Sequence, residues 1–470
     1  MGGIIGVPVI ECVYLAGCAH WAWKRCIRSG EDDSRGWAEA EFEDFKPVPH
    51  MCRLVLAVYE KDLANPRWAP PGGYGIKLQD VVKRVSYKDT RGKAPPYLIY
   101  LDRENCDIVM AIRGLNLVKE SDYAVLLDNK LGKQMFEGGY VHHGLLKSAA
   151  WVLNKEVKLL KQLVVENPSF TLTCTGHSLG SGVAALLTVL IVKNRNLVGN
   201  IAKEKIRCYA IAPARCMSLN LAVRYADVIN SVILQDDFLP RTATPLEDMF
   251  KSLFCLPCLL CIICVRDTFL SEAKMLKDPR RLYTPGRIYH IVERKRKLTR
   301  CGTYPPVVKT AVPVDGRFER IVLSSSATSD HSIVWIHREG AKALELMEET
   351  ATMQSPTPNK MVRQHSIQEE HMEQYKAAME RAKTLNIPHA HDSPSQSYGT
   401  FDHVSVGDTD ESDAENQAEI SRSHSPSPDE EDEEEEDSAE VSEEESLDKW
   451  KKFLRELFPK DRYERLLSTG

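Results

Sequence analysis

The pentapeptide Gly176-His177-Ser178-Leu179-Gly180 constrains this chain more than any other stretch. A short apolar and β-branched run, Phe170 to Thr175, precedes it, and an apolar helical run, Gly182 to Lys193, follows it. The order is strand, tight turn, helix, and G-x-S-x-G in that setting reads as a nucleophile elbow. A strand that turns at once into a helix forces the serine into a strained backbone conformation, and a Cβ at the flanking positions would clash. The strain holds the Ser178 hydroxyl out at the carboxyl edge of a sheet. The helix that starts there favours nearby negative charge. A chance match in a glycine-containing turn is the alternative, and the flanking strand and helix argue against it.

The pattern around the elbow repeats the alternation of strand and helix. Strands are expected at Asp107 to Ile112, Phe170 to Thr175, Ile206 to Ala212, Val228 to Leu234, Ile288 to Val292 and Phe318 to Leu323. Helices are expected at Leu145 to Leu163 and Ser332 to Glu348. This predicts an α/β class fold. Five divisions follow: an N-terminal, partly helical extension with an apolar start (1–94), the α/β domain (95–349) with a Cys-rich insertion near 250–285, a helical extension (350–386), an acidic Ser/Pro-rich tail (387–447) and an amphipathic helix (448–470). The tail cannot bury enough apolar surface to offset its ordering entropy, so disorder is expected there.

An elbow serine needs a base and an orienting acid, which in sheets of this kind follow it in the order Asp or Glu, then His. The strand ending at Leu234 runs into Gln235-Asp236-Asp237-Phe238-Leu239-Pro240-Arg241. Asp237 falls where such an acid belongs, with Asp236 as its rival. His331 lies on a loop just before a helix, free to reach a neighbour. His290 and His337 lie within regular elements, and His142 and His143 precede the serine, so these four read as structural. Acyl transfer also needs donors for a developing oxyanion. The backbone N–H groups of Leu179, at the helix start, and of Leu115, in the turn after Ala111-Ile112-Arg113-Gly114, are the candidates.

These residues together resemble the class 3 lipase family, and most closely its diacylglycerol lipase branch with plant members. The matching stretches are Ile112-Arg113-Gly114, Val141-His142-His143-Gly144-Leu145, Gly176 to Gly180, Asp237-Phe238-Leu239-Pro240-Arg241 and Asp330-His331, spread over roughly 95 to 340. The resemblance implies an α/β-hydrolase fold with a mixed central sheet. It implies Ser178 as nucleophile, Asp237 as acid, His331 as base, and the backbone N–H of Leu115 as the second oxyanion donor. Many members carry Ser or Thr at that last position, and Leu115 lacks the hydroxyl. The implied reaction is two-step hydrolysis of a glycerolipid acyl ester, with diacylglycerol as the leading substrate and no metal or cofactor. A phospholipase or galactolipase on the same three residues, and a partner-binding protein on an inactive lipase scaffold, stay open as alternatives. The resemblance also makes Asn116 to Gly139 a lid, with Tyr123, Val125, Leu126 and Leu127 as its apolar side.

Charge and cysteine usage bear on location. From Asp392 to Asp448 there are 22 acidic residues and one basic residue. Against a whole-chain charge of −6 this leaves the rest at about +15. A basic body suits an anionic membrane surface; no zinc-finger, RNA-recognition or helix-turn-helix pattern supports nucleic acid. Thirteen scattered cysteines fit a reducing, cytoplasmic setting. Ile4 to Trp23 is apolar but carries Glu11 and His20 with no basic residue before it, so a peripheral anchor is expected rather than a secretory signal, with a buried helix as the competitor. Gly6 stands where a myristoylation motif needs Ser or Thr.

The insertion holds Cys255, Cys258, Cys261 and Cys264 at metal-like spacing. The intervening residues are apolar with no polar second layer, and the run is too short to span a bilayer. A membrane-dipping, palmitoylated segment is the expectation, with a buried helix as the competitor. In the C-terminal helix, Trp450, Leu454, Leu457 and Tyr463 are spaced like calmodulin anchors, and plant proteins similar to this one have been described as calmodulin-binding. Pro459 interrupts that helix, and docking back onto the body is the competing reading.

Overall fold

The computed structural model describes residues 26–27, 29–116, 119–128, 136–241, 281–293, 305–312, 318, 321–322, 324–353, 372–381 and 443–458. The apolar start Ile4 to Trp23, Cys255, Cys258, Cys261, Cys264, Tyr463 and the tail up to 442 lie outside the described residues.

Among the described residues, nine strands form one sheet. They are β2 (Ala38–Glu39), β3 (Val81–Val85), β4 (Tyr97–Asp102), β5 (Asp107–Ile112), β6 (Thr171–His177), β7 (Ile206–Ile211), β8 (Ile229–Leu234), β9 (Arg287–Val292) and β10 (Val307–Ala311). The spatial order is β2-β10-β9-β8-β7-β6-β5-β4-β3. The five central strands, β5 to β9, run parallel and in sequence order, and the two pairs at either side are antiparallel. The sheet is thus mixed, as expected for an α/β-hydrolase.

Strand alternation feeds two separate cores. On one face, Tyr97, Ile99, Ile108, Met110, Ile112, Cys174, Cys208 and Ala210 meet α3 (His143–Glu166) and α4 (Leu179–Lys193). On the other, Leu98, Tyr100, Val109, Ala111, Tyr209, Ile211, Val232 and Ile291 meet α1 (Val48–Val58) and α5 (Ile333–Met353). Burial on both faces is why these strands read as near-continuous apolar runs. Helix α4 has no polar face because sheet and helix α3 cover it together; every residue from Leu179 to Ile191 is buried.

One expectation needs correction. Phe318 to Leu323 does not close the sheet. Among the described residues of that stretch, Ile321–Val322 is a strand (β11), and it pairs in parallel with β1 (Cys26–Ile27) in a sheet separate from the main one. Phe318 has a left-handed backbone (φ 52°) and is buried between Trp37 and His290, so it acts as a plug and not as a ladder residue. The antiparallel closure comes instead from β10 and from β2 of the N-terminal region. The N-terminal region is therefore woven into the fold: β2 and β3 form the two outer strands and α1 covers the sheet.

Candidate active site

Ser178 lies between β6 and α4 with φ 55° and ψ −119°, a backbone state that a serine adopts only under constraint. The glycines around it are required by close approach. A Cβ on Gly176 would lie 2.3 Å from the Gly180 carbonyl oxygen, and a Cβ on Gly180 would lie 2.3 Å from the Arg113 carbonyl oxygen. The elbow thus turns tightly on itself and presses against the end of β5.

The structure brings Ser178, Asp237 and His331 together. β8 ends in a sharp turn, with Gln235 at φ 28°, which swings Asp237 under the sheet edge. Asp237 is fully buried. Its Oδ1 accepts from the Leu239 amide at 3.1 Å and lies 3.0 Å from His331 Nδ1. His331 follows the single turn Ala327–Asp330 and precedes α5; its Nε2 lies 2.9 Å from Ser178 Oγ. A carboxylate can only accept at this site, so Nδ1 carries the proton and Nε2 presents its lone pair to the serine hydroxyl. That order of groups can deprotonate Ser178 as it attacks an acyl carbon.

Asp236 does not share in this. Its Oδ1 accepts from the Gly30 amide at 2.8 Å, and its own amide donates to Asp330 Oδ2 at 3.0 Å. The second bond ties the turn that carries Asp237 to the turn that carries His331. His142 caps α3 by accepting from the Leu145 amide, and His290 is buried against Ser34 and the Gln235 carbonyl, which matches their structural reading.

The oxyanion candidates follow two neighbouring parallel strands, Leu115 after β5 and Leu179 after β6 and Ser178. Leu179 is the first residue of α4, where a helix leaves its amides without intrahelical partners. Leu115 is half-buried in the turn after β5, and that turn is held at both sides. The Gly114 amide donates to Tyr59 Oη at 2.9 Å, and the Asn116 amide donates to Asp122 Oδ2 at 2.9 Å. Asp122 belongs to α2 (Glu120–Leu127), the helix of the expected lid, and also accepts from Tyr87 Oη at 2.7 Å. Burial pushes its carboxyl pKa up. The far end of α2 is fixed by the Asp128 carbonyl, which accepts from the Gly144 amide at 2.7 Å. Val125 is buried beneath this helix, whereas the side chains of Tyr123, Leu126 and Leu127 lie outside the described residues. Ser178 is only 9% exposed.

Sequence reasoning missed Tyr59, His177, Asp122, Arg241 and Asp33. Arg241 was within the matched Asp237–Arg241 stretch, and its role was not legible. It is fully buried, pairs with Asp33, donates to the Gln235 carbonyl at 2.9 Å and stacks 3.8 Å from the centre of the Phe318 ring. It closes the turn that carries Asp237.

Three of the four expected calmodulin anchors lie among the described residues, and these pack inside the fold. The C-terminal helix α6 spans Glu443–Leu457, beginning five residues earlier than expected because a glutamate run suits a helix N-terminus. Trp450, Leu454 and Leu457 are buried in the same core as α3. Trp450 Nε1 donates to Asn154 at 3.3 Å, and Phe453 packs on Phe136. The apolar face of α6 is thus occupied by the body of the protein. No helix among the described residues is long and apolar enough to cross a membrane, and no cluster there could hold a metal ion.

The family Lipase (class 3) matches residues 109–247, and Lipase 3 N-terminal region matches residues 9–76. Diacylglycerol lipase-beta of Mus musculus is 28% identical over 37% of this chain and 26% of its own length. Diacylglycerol lipase-alpha of Homo sapiens is 23% identical over 56% of this chain and 29% of its own length. The chain spans about a quarter of the length of the curated relatives it matches. Among solved structures, a lipase from Rhizopus microsporus var. chinensis is similar at 13% identity, covering 64% of this chain and 90% of that one, with a TM-score of 0.39. Residues 109–247 thus match the class 3 lipase family, and residues 9–76 match its N-terminal region.

Proposed function

We propose that this protein is a serine lipase that hydrolyses fatty acyl esters of glycerolipids, with diacylglycerol as its substrate class. The observation that carries the reading is the continuous chain from Asp237 Oδ1 through His331 to Ser178 Oγ, at 3.0 and 2.9 Å. In this reading His331 takes the serine proton as Oγ attacks the ester carbonyl carbon. Asp237 holds the ring and stabilises the imidazolium. The amides of Leu115 and Leu179 receive the oxyanion, each good donor lowering the barrier by about 3–4 kcal/mol. His331 then protonates the leaving alcohol, and water, deprotonated by the same ring, releases the fatty acid.

The diglyceride substrate class rests on the names of the relatives. A lipid-facing role rests on surface chemistry. Phe238, Val334 and Trp335 are 36–56% exposed large apolar side chains; the latter two follow His331 closely in sequence, and the Phe238 ring packs on the His331 ring. Arg338 stacks on Trp335. Apolar side chains backed by a cation suit a membrane surface with anionic lipid. The test is release of free fatty acid from a glycerolipid panel, alongside labelling by a fluorophosphonate. Wild type should label and should favour diacylglycerol, and Ser178→Ala should do neither. Labelling that persists in Ser178→Ala would remove the assignment.

A further inference from the structure

The residue between Gly176 and Ser178 is a histidine, and its surroundings differ from those of His331. The His177 ring is nearly buried, and each of its nitrogens faces one defined group. Nε2 lies 2.8 Å from the carbonyl oxygen of His331, and Nδ1 lies 3.0 Å from Tyr59 Oη. A carbonyl can only accept, so Nε2 carries the proton and Nδ1 accepts from the tyrosine hydroxyl. The same hydroxyl accepts from the Gly114 amide at 2.9 Å. Every donor and acceptor in this line therefore has a fixed direction. It runs from the Gly114 amide to the Tyr59 hydroxyl, from that hydroxyl to His177 Nδ1, and from His177 Nε2 to the His331 carbonyl.

We infer that Tyr59 and His177 are positioning residues that lock the oxyanion turn and the loop of the base into one register. The two ends of the line are the two parts that must meet the substrate carbonyl together. Gly114 precedes Leu115, whose amide is the expected oxyanion donor, and the other end is the backbone of the base itself. Gly114 shows how closely the line is packed. A Cβ there would lie 2.6 Å from Tyr59 Oη and 2.9 Å from His177 Nδ1, so only glycine leaves room. This glycine is not in a left-handed conformation, so the requirement is space alone. The guanidinium of Arg113 over the Tyr59 ring, 4.7 Å from its centre, holds the phenol in place from the other side. Burial and the nearby His331 keep the His177 ring neutral, with its pKa lowered to about 3. Burial pushes the Tyr59 phenol up to about 12. Neither group titrates across the working range, as a fixed brace requires.

The inference rests on the serine lipase reading for its catalytic consequence, so the test has one arm that depends on activity and one that does not. Tyr59→Phe keeps the ring and removes the hydroxyl. The first arm compares KM for a soluble short-chain ester with the inhibition constant of a trifluoromethyl ketone, which forms an oxyanion on the serine. Both are properties of each folded site and do not depend on how much protein is folded. The expected result is about tenfold weaker inhibition with KM within a factor of about two, since a displaced donor loses part of what a removed donor loses. His177→Leu should do the same. His177→Gln, whose amide can accept from Tyr59 and donate to the His331 carbonyl, should restore most of the loss. Equal inhibition in Tyr59→Phe and wild type overturns the inference, and so does a Gln variant no better than the Leu variant. The second arm reads the 15N shifts of the His177 ring. Wild type should show a neutral ring protonated on Nε2 down to about pH 5, and Tyr59→Phe should lose that single tautomer. A wild-type protein that shows this signature but hydrolyses nothing would sink the lipase reading and leave the brace standing. A mixed tautomer in wild type would sink the brace itself.

Discussion

The pair of Arg241 and Asp33 allows a prediction with a worked magnitude. The Arg241 side chain is 1% exposed and that of Asp33 is 4% exposed. Asp33→Ala leaves a guanidinium buried without its carboxylate, which costs about 3–5 kcal/mol in buried pairs. Arg241 keeps other contacts, among them the Gln235 carbonyl at 2.9 Å and the face of Phe318, so the lower end, about 3 kcal/mol, is expected. For a body of this size that corresponds to a fall of roughly 6–12 °C in Tm. The discriminating variant is the double change Asp33→Ala with Arg241→Met. Replacing both partners by apolar groups removes the uncompensated charge, so most of the loss should return, leaving the protein within about 1 kcal/mol of wild type. Urea denaturation of the four proteins closes the cycle. A single change that costs under about 0.5 kcal/mol, or a double change no better than the single, would refute the reasoning. The activity of Asp33→Ala should fall as well, because Arg241 closes the turn in which Asp237 sits.

Two further outcomes follow from the site. Gly180→Ala places a Cβ 2.3 Å from the Arg113 carbonyl oxygen, and backbone cannot yield as a side chain can, so a loss of about 3 kcal/mol in unfolding free energy and a loss of hydrolysis are expected; retention of both would show the elbow to be looser than described. Asp122 has its carboxyl pKa raised by burial, so the folded protein holds that proton more tightly than the unfolded chain. Stability from this group is present at low pH and is lost as pH rises from about 4 through the raised value. Asp122→Asn cannot titrate, so urea midpoints between pH 4 and 7 should favour wild type less and less as pH rises; a difference that stays flat would contradict the assignment.

What was legible in the sequence was whatever local chemistry dictates. The elbow was legible because strand, tight turn and helix follow one another within a few residues, and Gly176 is demanded by a contact with Gly180 in the same turn. The central strands were legible because burial on both faces writes apolar runs such as Asp107 to Ile112. The order Ser178, Asp237, His331 was legible because each lies just past a regular element. What could not be read were partnerships made across the fold. Val307 to Ala311 is a half-buried strand with little alternation to mark it, and its place follows from β9 and β2 on either side. Trp450, Leu454 and Leu457 repeat every three to four residues whether the partner is another protein or the outer face of α3. The spacing records that a face will be buried and is silent on where.

The N-terminal region shows most plainly why such partnerships matter. From sequence it is an extension standing before the α/β domain. In the fold it reaches the site twice. Gly30 and Asp33 hold the turn of Asp237 through Asp236 and Arg241, and Tyr59, at the end of α1, joins the oxyanion turn to His177. Each contact joins residues 55 to 208 positions apart, beyond the range of any local pattern. Both act on turns that have few regular backbone bonds of their own, whereas Ser178 is fixed by the strand and helix on either side of it. A nucleophile on a rigid elbow needs no outside support. The acid and the oxyanion turn do need it, and this chain draws that support from the N-terminal region that also supplies the two outer strands.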